Sequence, residues 1–216
     1  MHDRLQGLYV ITDHKLALQR QQPLEDMVAA AIEGGARIVQ YRNKSASVAT
    51  REHEAHALAS LCKANDVVFL INDDIPLALT VDADGVHLGQ SDAPLAQARA
   101  MLGQDRIIGI TCHDQIHLAL SAQQAGTDYV AFGRFFPSVT KPEAPPAALT
   151  ILQEAHAQLH IPIAAIGGIT PANAKLLLEQ GVDMLAVIHG VLGAADIVAA
   201  AGEYTRLFTL QSRHAV

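Results

Sequence analysis

The chain has 216 residues, half of them apolar, and its 15 lysines and arginines against 22 aspartates and glutamates leave a formal charge of −7. That size and apolar share can fill one substantial core. With 4% aromatic residues and no basic block, the composition argues against a nucleic-acid partner. The two cysteines, Cys62 and Cys112, are too few for a disulfide scaffold and predict buried thiols in a reducing compartment.

Short apolar runs recur along the chain, and each is followed by turn residues. Continuous apolar runs are typical of strands covered on both faces, as in parallel sheets. Strands are predicted, in chain order, at residues 8–11, 38–41, 67–71, 85–88, 107–110, 129–132, 161–166 and 184–188.

The segments between these runs are predicted as helices, at residues 24–34, 48–65, 95–102, 115–125, 147–158, 171–180 and 194–210, with room for only a short helix in 73–82. Repeated β/α units in a chain of this length favour an α/β fold, a TIM (β/α)8 barrel, over a doubly wound sheet. No linker or composition shift divides the chain, so one domain over residues 1–216 is predicted.

The start of the chain lacks a basic region followed by a long apolar run, so no secretory signal is predicted. The most apolar later stretch, residues 184–195, is interrupted by His189 and is too short to cross a bilayer core of roughly 30 Å. We therefore expect a soluble cytoplasmic protein with no membrane partner. The sequence leaves the oligomeric state open and allows a homo-oligomer.

Polar residues follow the predicted strands, and in a TIM barrel these positions converge on one face. Arg42 and Lys44 are two apart on an extended segment, so both point toward the barrel mouth if Gln40 points inward. Two cations at that spacing suit a multiply charged anion. The alternative is a solvated pair of loop residues.

Two carboxylates, Asp73 and Asp92, follow successive strands. Carboxylates with water or a phosphate oxygen are the usual ligands of Mg²⁺. Together with the nearby cations they predict a divalent metal and a polyphosphate. Asp73 could instead cap the following helix, a role that Asn72 or Asp74 could fill equally well.

A second anion site is predicted at the loops after the sixth and seventh strands. Ser138, Thr140 and Lys141 bring two hydroxyls and an ammonium into one loop, while Gly167 and Gly168 let backbone N–H groups approach an anion. Phosphate sites built from late loops recur in TIM barrels. The two glycines could also serve only a tight turn between strand and helix.

The ordered set of these motifs resembles the thiamine-phosphate synthase family, from Gly7 to about Ala195. The matching stretches are Leu8-Tyr9-Val10-Ile11-Thr12-Asp13, Gln40-Tyr41-Arg42-Asn43-Lys44, Ile71-Asn72-Asp73-Asp74, Asp84-Gly85-Val86-His87-Leu88-Gly89-Gln90-Ser91-Asp92, Pro137-Ser138-Val139-Thr140-Lys141-Pro142 and Ala165-Ile166-Gly167-Gly168-Ile169.

The resemblance implies a transferase that joins 4-amino-2-methyl-5-hydroxymethylpyrimidine diphosphate to 4-methyl-5-(2-phosphoethyl)thiazole. Pyrophosphate leaves by a dissociative path assisted by Mg²⁺, which the resemblance assigns to Asp73 and Asp92. The residues that it implies at the pyrimidine diphosphate are Gln40, Arg42, Lys44, Asn72, Thr111 and Lys141, with Arg42, Lys44 and Lys141 in catalysis. Those that it implies at the thiazole phosphate are Ser138, Thr140, Gly168, Ile188 and His189.

The sequence departs from the family at several places. Thr111 and Ser138 each exchange one hydroxyl residue for the other, Arg134 replaces a frequent Pro, and His189-Gly190 replaces the usual Ser-Ala after the eighth strand. We expect the backbone there to keep the phosphate contact and Gly190 to leave room for the His189 ring and the phosphate. Two alternative functions are a thiazole tautomerase-like isomerase, which would not need the metal carboxylates, and a barrel that binds thiamine precursors without catalysis.

Overall fold

The computed structural model describes residues 4–138 and 145–212. Its parallel strands close into one barrel in chain order, the TIM barrel that the sequence predicts. The strands are β1 (Gly7–Ile11), β2 (Ile38–Tyr41), β3 (Val68–Asn72), β4 (Gly85–Leu88), β5 (Ile107–His113), β6 (Tyr129–Phe132), β7 (Ile163–Ile166) and β8 (Met184–Val187). Each pairs with its neighbours in sequence, and β1 pairs with β8 to close the ring.

Helices surround the barrel and cover the outer faces of the strands. They are α1 (His14–Arg20), α2 (Leu24–Glu33), α3 (Val48–Ala64), α4 (Ile75–Thr80), α5 (Leu95–Leu102), α6 (Ile116–Gln124), α7 (Thr150–Gln158), α8 (Pro171–Leu178), α9 (His189–Leu192) and α10 (Ile197–Ser212). Among the described residues, no helix has both the length and the hydropathy that crossing a membrane requires.

The core has two layers, which explains why the strands are continuous apolar runs. Alternate strand residues such as Ile38, Leu70 and Met184 fill the barrel interior, and the residues between them pack against the surrounding helices. Because both faces of each strand are buried, almost every strand position is apolar. Polar side chains on the inner face are therefore exceptions that need a reason.

Two helices of the structure were not predicted. Asp13 caps α1, since its side chain accepts a hydrogen bond of 2.9 Å from the Lys15 N–H, and Gln21 ends that helix in the left-handed conformation in which Gly is usual. The other, α9, is a single turn after β8. The last helix begins at Ile197 and not at 194, because the Asp196 carboxylate accepts a hydrogen bond from the Ala199 N–H.

Three aspartates tie strands together at the end of the barrel where the strands begin. Each directly precedes an even-numbered strand, and its carboxylate accepts a hydrogen bond from a backbone N–H near the start of the strand before it. These bonds, all 2.8 Å long, run from Phe69 to Asp84, from Ile108 to Asp128 and from Ile163 to Asp183. We call these three carboxylates the aspartate staples.

The staples differ in their surroundings, which predicts different costs for the same substitution. Asp128 also pairs with Arg99 at 2.7 Å, with side chains 14% and 13% exposed, whereas burial raises the pKa of Asp183 above its usual value. Asn keeps an acceptor for the backbone N–H in both cases. We expect Asp128→Asn to cost about 1–3 kcal/mol because the Arg99 cation loses its partner.

Asp183→Asn serves as the matched variant. A raised folded-state pKa means that the charge of Asp183 opposes folding at neutral pH, so removing the charge should cost little or stabilise the protein. Urea unfolding of both variants at neutral pH measures the difference. Equal losses for the two variants would contradict this account.

Candidate active site

The end of β2 and the segment after it carry Gln40, Arg42 and Lys44, three of the predicted site residues. Gln40 is buried and donates a hydrogen bond from Nε2 to the Tyr9 hydroxyl in the barrel interior. Two residues on, the Arg42 N–H donates to Thr12 Oγ1 at 2.8 Å, which ties this segment to the end of β1. Lys44, two further, reaches Asp73 with 2.6 Å between Nζ and Oδ2. The structure thus joins the segments after β2 and β3 by an ion pair.

The turn after β3 separates a capping carboxylate from a site carboxylate. Asp74 is the cap of α4, since its Oδ1 accepts from the Leu77 N–H at 3.0 Å. Asp73 therefore does not cap α4, which excludes the alternative role that the sequence allowed for this residue. It adopts a left-handed backbone with φ of 65°, a conformation that costs energy for a residue with a side chain and that concentrates at functional sites.

Asp92 lies beside Asp73. Its Oδ2 accepts a hydrogen bond of 2.7 Å from the Gly89 N–H, which fixes the carboxylate in the loop after β4. Burial raises the pKa of Asp92, and the hydrogen bond to the neighbouring Asp73 carboxylate raises it further. Two carboxylates in contact repel when both are charged, so this arrangement favours a cation between them.

The donor set fits Mg²⁺. Within residues 4–138 and 145–212, no group of three or more His, Cys, Asp or Glu side chains gathers to hold a metal. A cation at Asp73 and Asp92 would therefore take its remaining ligands from water and from a bound phosphate. Mg²⁺ is bound in this way, by one or two carboxylates, several waters and substrate phosphates.

A chain of hydrogen-bonded polar side chains crosses the barrel interior below the mouth. It continues from Gln40 and Tyr9 to the Tyr129 hydroxyl at 2.9 Å, then to His87 Nδ1 at 2.7 Å. From His87 Nε2 it reaches Thr111 Oγ1 at 2.8 Å. Burial raises the pKa of Tyr9 and of Tyr129, so both hydroxyls stay protonated. We call these five residues the interior polar chain.

Three members of the interior polar chain, Tyr9, His87 and Tyr129, were not singled out by sequence reasoning. Each looks like an ordinary strand residue in the sequence. The alternation of side chains along a strand could have identified them, because each lies at a position that faces the barrel interior, where an apolar residue is expected. Thr111 was predicted at the site by resemblance, and it lies where β5 shifts its register against β6.

The loops after β6 and β7 touch each other. Gly168 has φ of 62°, and a Cβ there would lie 2.2 Å from the Pro137 carbonyl oxygen, so only Gly allows this approach. The contact places Ser138 next to the turn that begins α8. Thr140 and Lys141, the other two predicted residues of this loop, lie outside the described residues.

The segment after β8 carries the largest departure from the family pattern. Ile188 precedes α9, and His189, its first residue, is exposed. A Cβ at Gly193 would lie 2.8 Å from His189 Nδ1, so the imidazole ring lies alongside α9, near the residue that follows this helix. In this position the side chain points toward Gly193.

The expectation that Gly190 leaves room for the His189 ring and a phosphate is wrong. A Cβ at Gly190 would lie 2.2 Å from the Tyr204 hydroxyl, which comes from α10. That hydroxyl donates a hydrogen bond of 2.9 Å to the Ile169 carbonyl oxygen. The absence of a side chain at Gly190 therefore leaves room for the Tyr204 hydroxyl, through which α10 binds the loop after β7.

The comparisons with known proteins agree with this geometry. Residues 8–191 match the sequence profile of the thiamine monophosphate synthase family. Thiamine-phosphate synthase of Thioalkalivibrio sulfidiphilus (strain HL-EbGR7) is 50% identical over 209 residues, which cover 95% of this chain and 97% of that protein. The enzyme of the same name from Alcanivorax borkumensis is 49% identical over 208 residues, 95% of each chain.

Solved structures give the same result. The thiamine phosphate pyrophosphorylase from Pyrococcus furiosus superimposes with a TM-score of 0.87 at 35% identity, covering 97% of this chain and 98% of that one. A 3-hexulose-6-phosphate synthase, at 18% identity and a TM-score of 0.68, covers 93% of this chain and 99% of its own, and shares the fold alone.

Proposed function

Since the chain belongs to the thiamine monophosphate synthase family and is a transferase that forms thiamine phosphate, we propose how its barrel mouth carries out that reaction. The observation that carries the proposal is the contact of Lys44, Asp73 and Asp92 above the interior polar chain. It combines cation-binding carboxylates, a cation for an anionic group, and buried polar atoms that suit a heterocycle.

The pyrimidine diphosphate would lie with its ring over the interior polar chain and its diphosphate toward the ion pair. Gln40 and Thr111 are members of the chain whose side chains also carry polar atoms suited to ring nitrogens and an amino group. Arg42 and Lys44 would face the diphosphate, with Asn72 at the end of β3 and Lys141 as further contacts. This placement rests on the inward direction of Gln40 and on the family resemblance.

The reaction breaks the C–O bond between the pyrimidine methylene and the diphosphate and forms a C–N bond to the thiazole nitrogen. That nitrogen is already a nucleophile, so no base or activated Ser or Cys is needed. Mg²⁺ bound at Asp73 and Asp92 would supply positive charge to the pyrophosphate. Arg42, Lys44 and Lys141 would stabilise the negative charge that develops on it as the bond breaks, which favours a dissociative path.

The thiazole phosphate would occupy the other side of the mouth. The loops after β6 and β7, which carry Ser138 and Gly168, meet there, and the segment at Ile188 and His189 follows β8 beside them. With Thr140 these residues would form the phosphate contact that the resemblance implies. A cytoplasmic location and a homo-oligomeric state stay predictions.

Mixing the purified protein with the two precursors and Mg²⁺, and following thiamine phosphate and pyrophosphate by chromatography, tests the proposal. Formation of both products in equal amounts is expected. Conversion of the thiazole phosphate to an isomer alone would support the tautomerase-like alternative, which does not explain why Asp73 and Asp92 are in contact. Binding of both precursors without product would support the non-catalytic barrel.

The position of the His189 ring makes a separate prediction. Because the ring lies along α9 toward Gly193, we expect the backbone to make the phosphate contact and the side chain to add none. The KM for the thiazole phosphate, measured between about pH 5.5 and 8.5, should then follow the same profile in wild type and His189→Ser. A wild type that binds better at low pH, together with a variant that does not, would show a side-chain contact instead.

A further inference from the structure

The first two turns of α3 hold the two loops that carry the predicted diphosphate and metal contacts. Arg51 and Glu54 are three residues apart and so share one face of α3. Arg51 contacts the loop after β3, and Glu54 contacts the loop after β2. We propose that these two residues are positioning residues that set the Lys44–Asp73 geometry. This inference rests on the proposed function and concerns two residues that lie outside the stretches on which the family resemblance was recognised.

Glu54 is the centre of one of these contacts. Its Oε2 accepts hydrogen bonds from the Tyr41 hydroxyl at 2.7 Å and from Asn43 Nδ2 at 2.9 Å, and its Oε1 lies 3.3 Å from His14 Nδ1. Residues from β2, from its following loop and from α1 therefore meet at one carboxylate. Burial and the neighbouring carboxylate of Glu54 raise the pKa of Tyr41, so the hydroxyl remains the donor in its bond.

Asn43 connects the Glu54 carboxylate to the backbone of the loop after β2. While its amide nitrogen donates to Glu54, its Oδ1 accepts hydrogen bonds from the backbone N–H of Ala46 at 3.2 Å and of Ser45 at 3.4 Å. Asn43 is 7% exposed and lies between Arg42 and Lys44 in the chain. Fixing its side chain therefore fixes the backbone from which both cations project.

Arg51 holds the loop after β3 in the same way. Its Nη1 lies 2.9 Å from Asp74 Oδ2, while Asp74 Oδ1 caps α4. The Arg51 Nε is buried and has no hydrogen-bond partner among the described residues. A buried unpaired N–H destabilises the fold by about 1–3 kcal/mol. The placement of Arg51 therefore holds the loop after β3 but lowers the stability of the fold, as is common at functional sites.

The two contacts lie on either side of the Lys44–Asp73 ion pair. Arg51, Lys44, Asn72 and Asp73 line one cavity of about 270 Å³ beside the mouth. Moving the loop after β2 would separate Lys44 from Asp73, and moving the loop after β3 would also separate Asp73 from Asp92. The thiazole side of the mouth is built from the loops after β6, β7 and β8, whereas the contacts of Arg51 and Glu54 described above go to β2, to α1 and to the loops after β2 and β3. The two residues should therefore affect one substrate and not the other.

Glu54→Ala and Arg51→Gln test the proposal, with Glu52→Ala as the control matched to Glu54→Ala. Glu52 is exposed on the same helix, makes none of these contacts, and loses the same charge as Glu54 does. In the first two variants we expect the Kd of inorganic pyrophosphate in Mg²⁺, measured by calorimetry, and the KM for the pyrimidine diphosphate to rise about tenfold. The KM for the thiazole phosphate should stay within about twofold of wild type, as should all three values for Glu52→Ala.

Glu54→Gln provides the rescue. Its Oε1 can accept the hydrogen bonds of the Tyr41 hydroxyl and of Asn43 Nδ2, so pyrophosphate affinity should stay close to that of wild type. An effect of the lost charge alone would not be spared in this way. If Glu54→Ala and Arg51→Gln bind pyrophosphate as wild type does, or if both KM values rise together without rescue by Glu54→Gln, the inference is overturned.

The calorimetric measurement also separates this inference from the proposed function. If wild type forms no thiamine phosphate but Glu54→Ala and Arg51→Gln still lose pyrophosphate affinity and Glu54→Gln keeps it, the positioning role holds while the proposed reaction fails. If wild type turns over and the variants keep their affinity, the reaction holds and the positioning role fails.

Discussion

Asp92→Asn should lower turnover by roughly 10²–10³-fold while the barrel stays folded. Asn keeps an acceptor for the Gly89 N–H, so the loop after β4 should keep its shape. What it loses is the negative charge that, with Asp73, would hold Mg²⁺. Steady-state assays across a Mg²⁺ titration measure the effect, and circular dichroism checks the fold. The Mg²⁺ requirement of the variant should shift to higher concentration.

Asp114→Asn is the control for this prediction. Asp114 is an exposed carboxylate just after β5, at the same end of the barrel, and removing its charge should leave turnover unchanged. Wild-type protein should also lose its activity in excess chelator and regain it when Mg²⁺ is added back. Full activity in excess chelator would show that neither Asp73 nor Asp92 acts through a metal.

The second large effect is expected at Lys141. This residue follows the hydroxyls of Ser138 and Thr140 in the sequence, and the family resemblance places it at the diphosphate. A cation that acts mainly as charge builds up on the leaving group lowers kcat more than it raises KM when it is removed. We expect Lys141→Ala to reduce kcat by roughly 10²-fold, with a smaller change in KM for the pyrimidine diphosphate.

Lys175→Ala provides the comparison, because Lys175 is an exposed lysine of α8 that forms an ion pair with Glu179 one turn away. Its loss should leave both constants unchanged. Rapid-quench measurement of a single turnover distinguishes the chemical step from product release. A higher KM with an unaltered kcat would make Lys141 a ground-state anchor for the substrate and not a contributor to the transition state.

Much of the fold can be predicted from the sequence because the barrel buries both faces of every strand. The predicted bounds of β2, β4, β6 and α5 agree with the structure residue for residue. The helix α1 was missed because Gln21, and not Gly, ends it, so no terminating signal stood in the sequence. Capping by Asp74 could not be separated from capping by Asp73, since adjacent residues differ only in the backbone angles that the fold imposes.

The site residues fall into two groups by how far the sequence reveals them. Lys44, Asp73 and Asp92 stand out because polar residues at strand ends converge in this fold. His87 and Glu54 do not, since one looks like a strand residue and the other like a solvated helix residue. Their partners lie on other elements, and only the assembled barrel brings them together.

The aspartate staples make the barrel a set of strand pairs. The pairs are β3 with β4, β5 with β6, and β7 with β8, whereas Arg37 occupies the position before β2 and contributes its backbone N–H to the Leu8 carbonyl. A chain break between pairs, as at residues 103–106, leaves every staple within one fragment. A break at residues 81–83 separates Asp84 from Phe69. The protein should therefore reassemble from two fragments, or tolerate new termini, more readily at boundaries between pairs than within them.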